Sequence, residues 1–287
     1  MPSLVLSARA ISMPKLNKPV DILGMFAILC SIRLRISEDY HRLLCSEEDG
    51  SSPTFVPWQT FAADPQAKTT STLVVDIMDT YGDMIVNGNP NCMALWHNLC
   101  IMLSADLRIF ELGAGCAGAD AAHNALEKIR MWTQTPAARR AIIHAGQTYR
   151  LMTDRRPSDG DPLHTSNGLF VAALVLGLYI FMVPSKEDDE DPESYEILDC
   201  VNWKLVGSKG LSPENGYVDD PAVNFIRKGG PISIGGVAHH SGYQSARRVL
   251  LDFAHLLDTA SRWRIGHYTE VLRIMSDYML SKETSHL

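Results

Sequence analysis

Residues 110–120 read FELGAGCAGAD, a Gly113-x-Gly115-x-x-Gly118 pattern behind the acidic Glu111. Glycines at this spacing let a backbone approach a pyrophosphate or an S-adenosyl group, provided that a strand leads in and a helix leads out. RIFEL, residues 108–112, would supply the strand. An acidic residue ending the next strand, about 20 positions on, would then bind the ribose. At that distance the chain reads RMWTQTPAA, residues 130–138, which has the pattern of one helix ending and another starting. Trp96, Leu99, Leu103, Leu107 and Phe110 step by three and four, so a single helical face runs into the glycines. The expectation is that Glu111 ends a helix and that Gly113 is its left-handed C′ residue. The alternative is a methyltransferase-like enzyme that uses residues 111–118 to hold S-adenosylmethionine.

The other reactive side chains lack their usual companions. His239-His240 lies in a glycine-rich stretch with no Asp, Glu or Cys at ligand spacing. His97, His123, His144 and His255 fall on helical patterns with no i+4 partner of metal-binding type, and are expected to be satisfied helix residues. Ser233, in Ser233-Ile234-Gly235, and Ser241, beside Gly242, could suggest a nucleophile, but neither sits in a Gly-x-Ser-x-Gly elbow. The cysteines at 30, 45, 92, 100, 116 and 200 form no Cys-x-x-Cys pair. With no leader-like start, they are expected to be buried, reduced thiols of an intracellular protein. Arg139-Arg140, Arg155-Arg156, Arg227-Lys228 and Arg247-Arg248 are scattered doublets, expected on solvated helix faces or beside carboxylates. No catalytic, cofactor-binding or metal-binding residue is nominated.

The elements that would position these groups are mostly helical. Helices are expected over 20–45, 71–86, from 92 to 110, from about 122 to 132, and from Pro136 to 152 with Thr135 as N-cap. LFVAALVLGLYIFMV, residues 169–183, is apolar on every face. At 15 residues it is shorter than the roughly 20 of a membrane span and reads as a core helix. Two further amphipathic helices close the chain. Residues 46–71, 154–162 and the acidic 186–193 read as loops, 195–207 is ambiguous, and 229–242 reads as a long glycine-rich loop. The expected fold is all-α, one domain of about eight helices over 20–287, preceded by a loosely attached 1–19.

The chain has 287 residues, 46% hydrophobic and 21% charged, with net charge −7. That is a globular composition, and its acidity disfavours attraction to a phosphate backbone.

LWHNLCIMLSADLRIFELGAG, residues 95–115, and ALEKIRMWTQTPAARRAIIHAGQTYRLMTDRR, residues 125–156, resemble the C-terminal regulatory region of fungal zinc-finger transcription factors, the fungal-specific transcription factor domain. The shared pieces are Leu95-Trp96-His97, the segment from Trp132 to Arg140, and His144. LDCVNWKLVG (198–207) and LLDTASRWRIGHYTEVLRIMSDYM (256–279) are also similar, so the resemblance covers roughly 20–280. It implies an all-α regulatory domain in the nucleus, without catalysis or cofactor. Its partners would be other transcription factors or coregulators. Because zinc fingers are missing from this sequence, no direct nucleic-acid contact is expected from it, and none with a membrane. Control of a fungal secondary-metabolite gene cluster is part of the same implication. A third reading is a ligand-sensing helical domain, which would need a closed apolar pocket.

Overall fold

Prolines preceded by short polar residues start much of this molecule. Asp64, Asn89, Thr135 and Asp220 each stand before a proline, and each side chain accepts a hydrogen bond from a backbone N–H of the first turn that follows. Proline suits that first position because its missing N–H would have had no partner there. The computed structural model describes residues 20–46, 56–155, 163–184, 194–203, 206, 219–260 and 266–285. Among them are eleven helices: α1 Ile22–Ser46, α2 Pro57–Ala63, α3 Pro65–Asn87, α4 Pro90–Ser104, α5 Leu107–Gly113, α6 Ala119–Thr133, α7 Pro136–Thr153, α8 Leu163–Met182, α9 Pro221–Lys228, α10 Tyr243–Ala260 and α11 Gly266–Ser285. The fold is all-α with one small sheet. Residues 1–19 and the acidic 186–193 lie outside the described residues.

Three expectations of secondary structure change. Residues 57–71 are helical rather than loop: α2 opens on Pro57, and α3 opens on Pro65 behind the Asp64 cap. The stripe from Trp96 to Phe110 belongs to two helices. Ala105 leaves the helical conformation, and Asp106 caps α5 by accepting from the Arg108 N–H. The glycine-rich 229–242 contains a hairpin of β2 Ile232–Ile234 and β3 Val237–His239, with β1 Tyr195–Glu196 added in parallel to β2. Gly235-Gly236 makes its two-residue turn, the length and composition favoured for a tight hairpin. The Glu196 carboxylate accepts from both of their N–H groups, at 3.0 and 2.7 Å. Burial pushes that carboxyl up, but the N–H donors of Gly236, Leu198 and Gly235 together hold it below its ordinary value.

Two apolar clusters build the core. Met25, Leu29, Ile32 and Ile36 of α1 pack with Ile77 of α3 and Leu99 of α4. The other cluster surrounds α8, whose Ala172 to Ile180 are buried, and draws in α7, α10 and α11. Helix α4 serves both clusters, with Leu99 in one and Ile101 in the other. Each fully buried Leu or Ile side chain contributes about 1.5–3 kcal/mol. Helix α8 has an 18-residue window apolar enough to span a membrane, so the expectation from its length does not hold; 78% of that window is buried inside the protein. It is a core helix by its packing.

Candidate functional site

The glycine stretch from Gly113 to Gly118 is a turn between helices. Leu107–Gly113 is helix where a nucleotide loop would need a strand, and Ala119–Thr133 follows as α6. The left-handed residue is Gly115, with φ 91°, rather than Gly113, which is still helical. The Gly115 N–H donates to the Leu112 carbonyl at 2.9 Å, and the Cys116 N–H donates to that of Glu111 at 3.3 Å. That pair of bonds is the Schellman closure of a helix C-terminus. Gly113 has a packing role: a Cβ there would meet Ile129 at 3.0 Å and Leu178 at 3.4 Å.

Among the described residues, a group of buried polar and aromatic side chains lies elsewhere, where α4 crosses α7. His97 on α4 and His144 on α7 are buried and face each other, with Nδ1 to Nδ1 at 2.8 Å. Two nitrogens on one zinc ion would stand roughly 3.3 Å apart at tetrahedral geometry, so this spacing is a hydrogen bond. His97 Nε2 has no hydrogen-bond partner among the described residues. A hydrogen there would be a buried donor without an acceptor, so the pattern assigns the shared hydrogen to His97 Nδ1, with His144 Nδ1 accepting.

Aromatic rings enclose the pair. Trp203 stacks face to face on His144, with centroids 4.5 Å apart and planes within 13°. Trp96 meets His144 and Trp203 edge-on at 5.3 Å each, and its indole N–H donates to the Val74 carbonyl at 3.1 Å. Burial pushes His97 down to about 3. His144 is also well below its ordinary value, through burial, then the neighbouring His97, then the Arg140 cation. The pair is therefore neutral near pH 7.

Arg139 and Arg140 are both buried, which corrects the expectation of solvated faces. Arg139 extends to α9, where its Nε donates to the Ile226 carbonyl at 2.7 Å; its Nη1 donates to Gln134 O at 3.0 Å. A cation on the last-turn carbonyls of α9 also complements that helix's dipole. Arg140 Nε has no partner among the described residues; burial lowers the group to about 10, and the nearby Cys100 opposes the shift. Cys100 itself is raised by burial, so it stands there as a thiol.

The remaining candidates stay apart. His123 and His255 are exposed on α6 and α10. His239 is buried on β3 while His240 is exposed, as the alternation of a strand requires. Burial and then Arg248 lower His239, against Asp252 and Glu196. Arg227, Lys228 and Arg248 are exposed. Ser233 is buried in β2. Cys30, Cys92, Cys100, Cys116 and Cys200 are free thiols; Cys116 and Cys200 are exposed, against the expectation of burial, and the Cys45 side chain lies outside the described ones. Among the described residues no three His, Cys, Asp or Glu side chains are grouped to hold a metal. A pocket of about 230 Å³, its open mouth included, lies between α7 and α10 against Ile197, Tyr149 and Phe253. That is below the 300–1,000 Å³ usual for small-molecule sites.

No protein family, curated protein or solved structure matches the chain.

The His97–His144 pair was missed by sequence reasoning because its members are 47 residues apart and each looks ordinary on its own helix.

Proposed function

We propose that this chain is a non-enzymatic transcriptional regulator of the nucleus, acting through contacts with other transcription factors or coregulators. What carries the reading is where the residues of the family resemblance lie. Trp96, His97, Trp132, Arg139, Arg140 and His144 are all buried at the junctions of α4, α6, α7 and α9. The Trp132 indole N–H donates to the Ser104 carbonyl at 3.0 Å, and Thr135 caps α7. These residues hold a helical scaffold together, as a regulatory domain needs, and none of them faces an open cleft.

Contact with partners then falls to exposed apolar side chains at the two ends of the described chain. Leu23 and Leu34 on one face of α1 are 74% and 67% exposed, and Ile274 on α11 is 60% exposed. Transcript profiling after deletion of the gene tests the reading. A contiguous set of neighbouring genes is expected to rise or fall together, with a tagged copy of the protein in the nucleus. Level transcripts alongside the loss or build-up of one metabolite would overturn it in favour of an enzyme.

A further inference from the structure

The segment Ile197–Trp203, which follows β1, is irregular in conformation yet fastened along its length. Gln147 of α7 donates through Nε2 to the Ile197 carbonyl at 2.9 Å and to that of Asp199 at 2.7 Å. Arg150, one turn on, donates to the Leu198 carbonyl at 2.9 Å. Ile197 lies so close over Gly146 that a Cβ there would stand 2.8 Å from its side chain. Farther along, the Trp203 ring lies on His144 and meets Trp96 and His97 edge-on, and Val206 is buried in the core with its N–H donating to the Asn202 carbonyl at 3.0 Å.

We infer that the His97–His144 contact is an acid-sensitive latch, and that proton uptake by the pair releases the Trp203 ring from its place on His144. The reason lies in the count of hydrogens. A 2.8 Å contact between two Nδ1 atoms holds a single hydrogen. Two imidazolium rings would each carry an Nδ1 hydrogen, so full protonation turns the bond into a clash of donors. The groups that act on the pair among the described residues are Arg140 of α7, which opposes positive charge on His144, and Cys100 of α4, which acts on Arg140. No carboxylate among them acts on either ring.

The pair must meet water to be charged. Helices α4 and α7 are locked by long apolar faces, whereas Trp203 lies on irregular backbone between the anchored Ile197–Asp199 and the buried Val206, and its ring is only half-buried. Its departure hydrates His144 first. An imidazole in water titrates near 6.5, so the opening constant rises about fiftyfold between pH 6.5 and 4.5 for each histidine that opening exposes.

The test uses the full-length protein in ¹H–¹⁵N spectra from pH 7.5 to 4.5, with far-UV circular dichroism in parallel. The Trp203 indole signal is assigned by its loss in Trp203→Phe. The expected result is that this signal moves to the position of an exposed indole while helicity is unchanged, and that the His97 and His144 ring nitrogens titrate over the same range. His144→Phe, which retains a ring to stack and loses the proton site, should remove the step. If the Trp203 signal holds until helicity collapses, or if both histidines stay neutral while Trp203 moves, the latch is wrong. Both observations are made on the unmodified protein, and through-bond correlation of the indole N–H to the Trp203 backbone confirms its assignment there, so the outcome does not depend on a variant folding.

Discussion

Residues 110–120 and the crossing of α4 with α7 make a pair of opposites. The glycine stretch has the letters of a reactive loop and is occupied with ending a helix, through the Gly115 closure onto Leu112 and Glu111. The helix crossing has no motif at all, yet it concentrates two histidines, two tryptophans and a buried guanidinium. Glycines and acids in a row have many uses, and only the strand or helix around them separates these. Groups brought together from separate helices leave no run of letters to read, yet their burial commits them energetically.

The largest effect should come from His144→Ala. The substitution removes the ring under Trp203, leaves a void, and orphans His97 Nδ1 in a buried place. A loss of about 3–5 kcal/mol is expected, seen as a fall of about 10 °C in melting temperature. A change of less than 1 kcal/mol would mean that the crossing is not the mechanical centre of the fold, and the contrast with the glycine turn would dissolve.

Acid sharpens the same contrast. The folded state holds both histidines below the ordinary 6.5, with His97 near 3. Between those values the unfolded chain binds more protons, so stability falls as pH falls. Above about pH 6.5 both states are neutral at these rings and the effect vanishes. The expected slope is about 1.4 kcal/mol per pH unit for each histidine still neutral in the folded state, and it flattens below the pH at which Trp203 is released and the folded protein takes up the same protons, measured as urea midpoints at pH 7.5, 6 and 5. Asp64, held down to about 2 chiefly by its hydrogen bond from Arg42, loses its contribution only in a lower window, from its ordinary value near 3.8 downward. A double His97→Phe/His144→Phe variant should flatten the upper window and leave the lower one. If the upper slope survives in that variant, other groups set the acid sensitivity.

What was legible in the sequence follows from the same physics. The apolar stripes of α4, α6 and α7 and the all-round burial of α8 could be read because they are local and periodic. Thr135-Pro136 was legible as a helix start, and Asp64-Pro65 carries the same signature, lost to the Ser and Pro content around it. Ile-Ser-Ile, two glycines and Val-Ala-His spell a hairpin, but runs of three residues are too short to show period two. The break at Ala105 hides because α5 resumes with its apolar face in phase with that of α4. The His97–His144 pair and the Arg139 cap on α9 are contacts 47 and 87 residues apart, and no local pattern records them.

Gly115→Ala probes the other side of the comparison. Nothing lies within 4 Å of an added Cβ, so the cost is that of the left-handed backbone alone, at φ 91°. About 1–2 kcal/mol is expected, measured by urea unfolding. Calorimetry with S-adenosylmethionine should show no saturable heat for either form. Saturable binding that disappears in Gly115→Ala would make the turn a site after all and reverse the contrast.

The smallest effect on stability, and the most informative for function, belongs to Leu23→Ser/Leu34→Ser. Both side chains stand on the face of α1 opposite Met25, Leu29, Ile32 and Ile36, which are the residues that enter the core. Serine at two solvated helix positions changes stability by about 0.5 kcal/mol or less per site, so the melting temperature should stay close to that of the unmodified chain. The transcript response of the neighbouring genes should nevertheless be lost if this face meets a partner, because an exposed leucine matters only to what covers it. His144→Ala would abolish the response along with the fold, whereas the α1 double variant would abolish it with the fold intact. A full response from the folded double variant would move the contact surface away from α1, leaving Ile274 on α11 as the next exposed apolar position to replace.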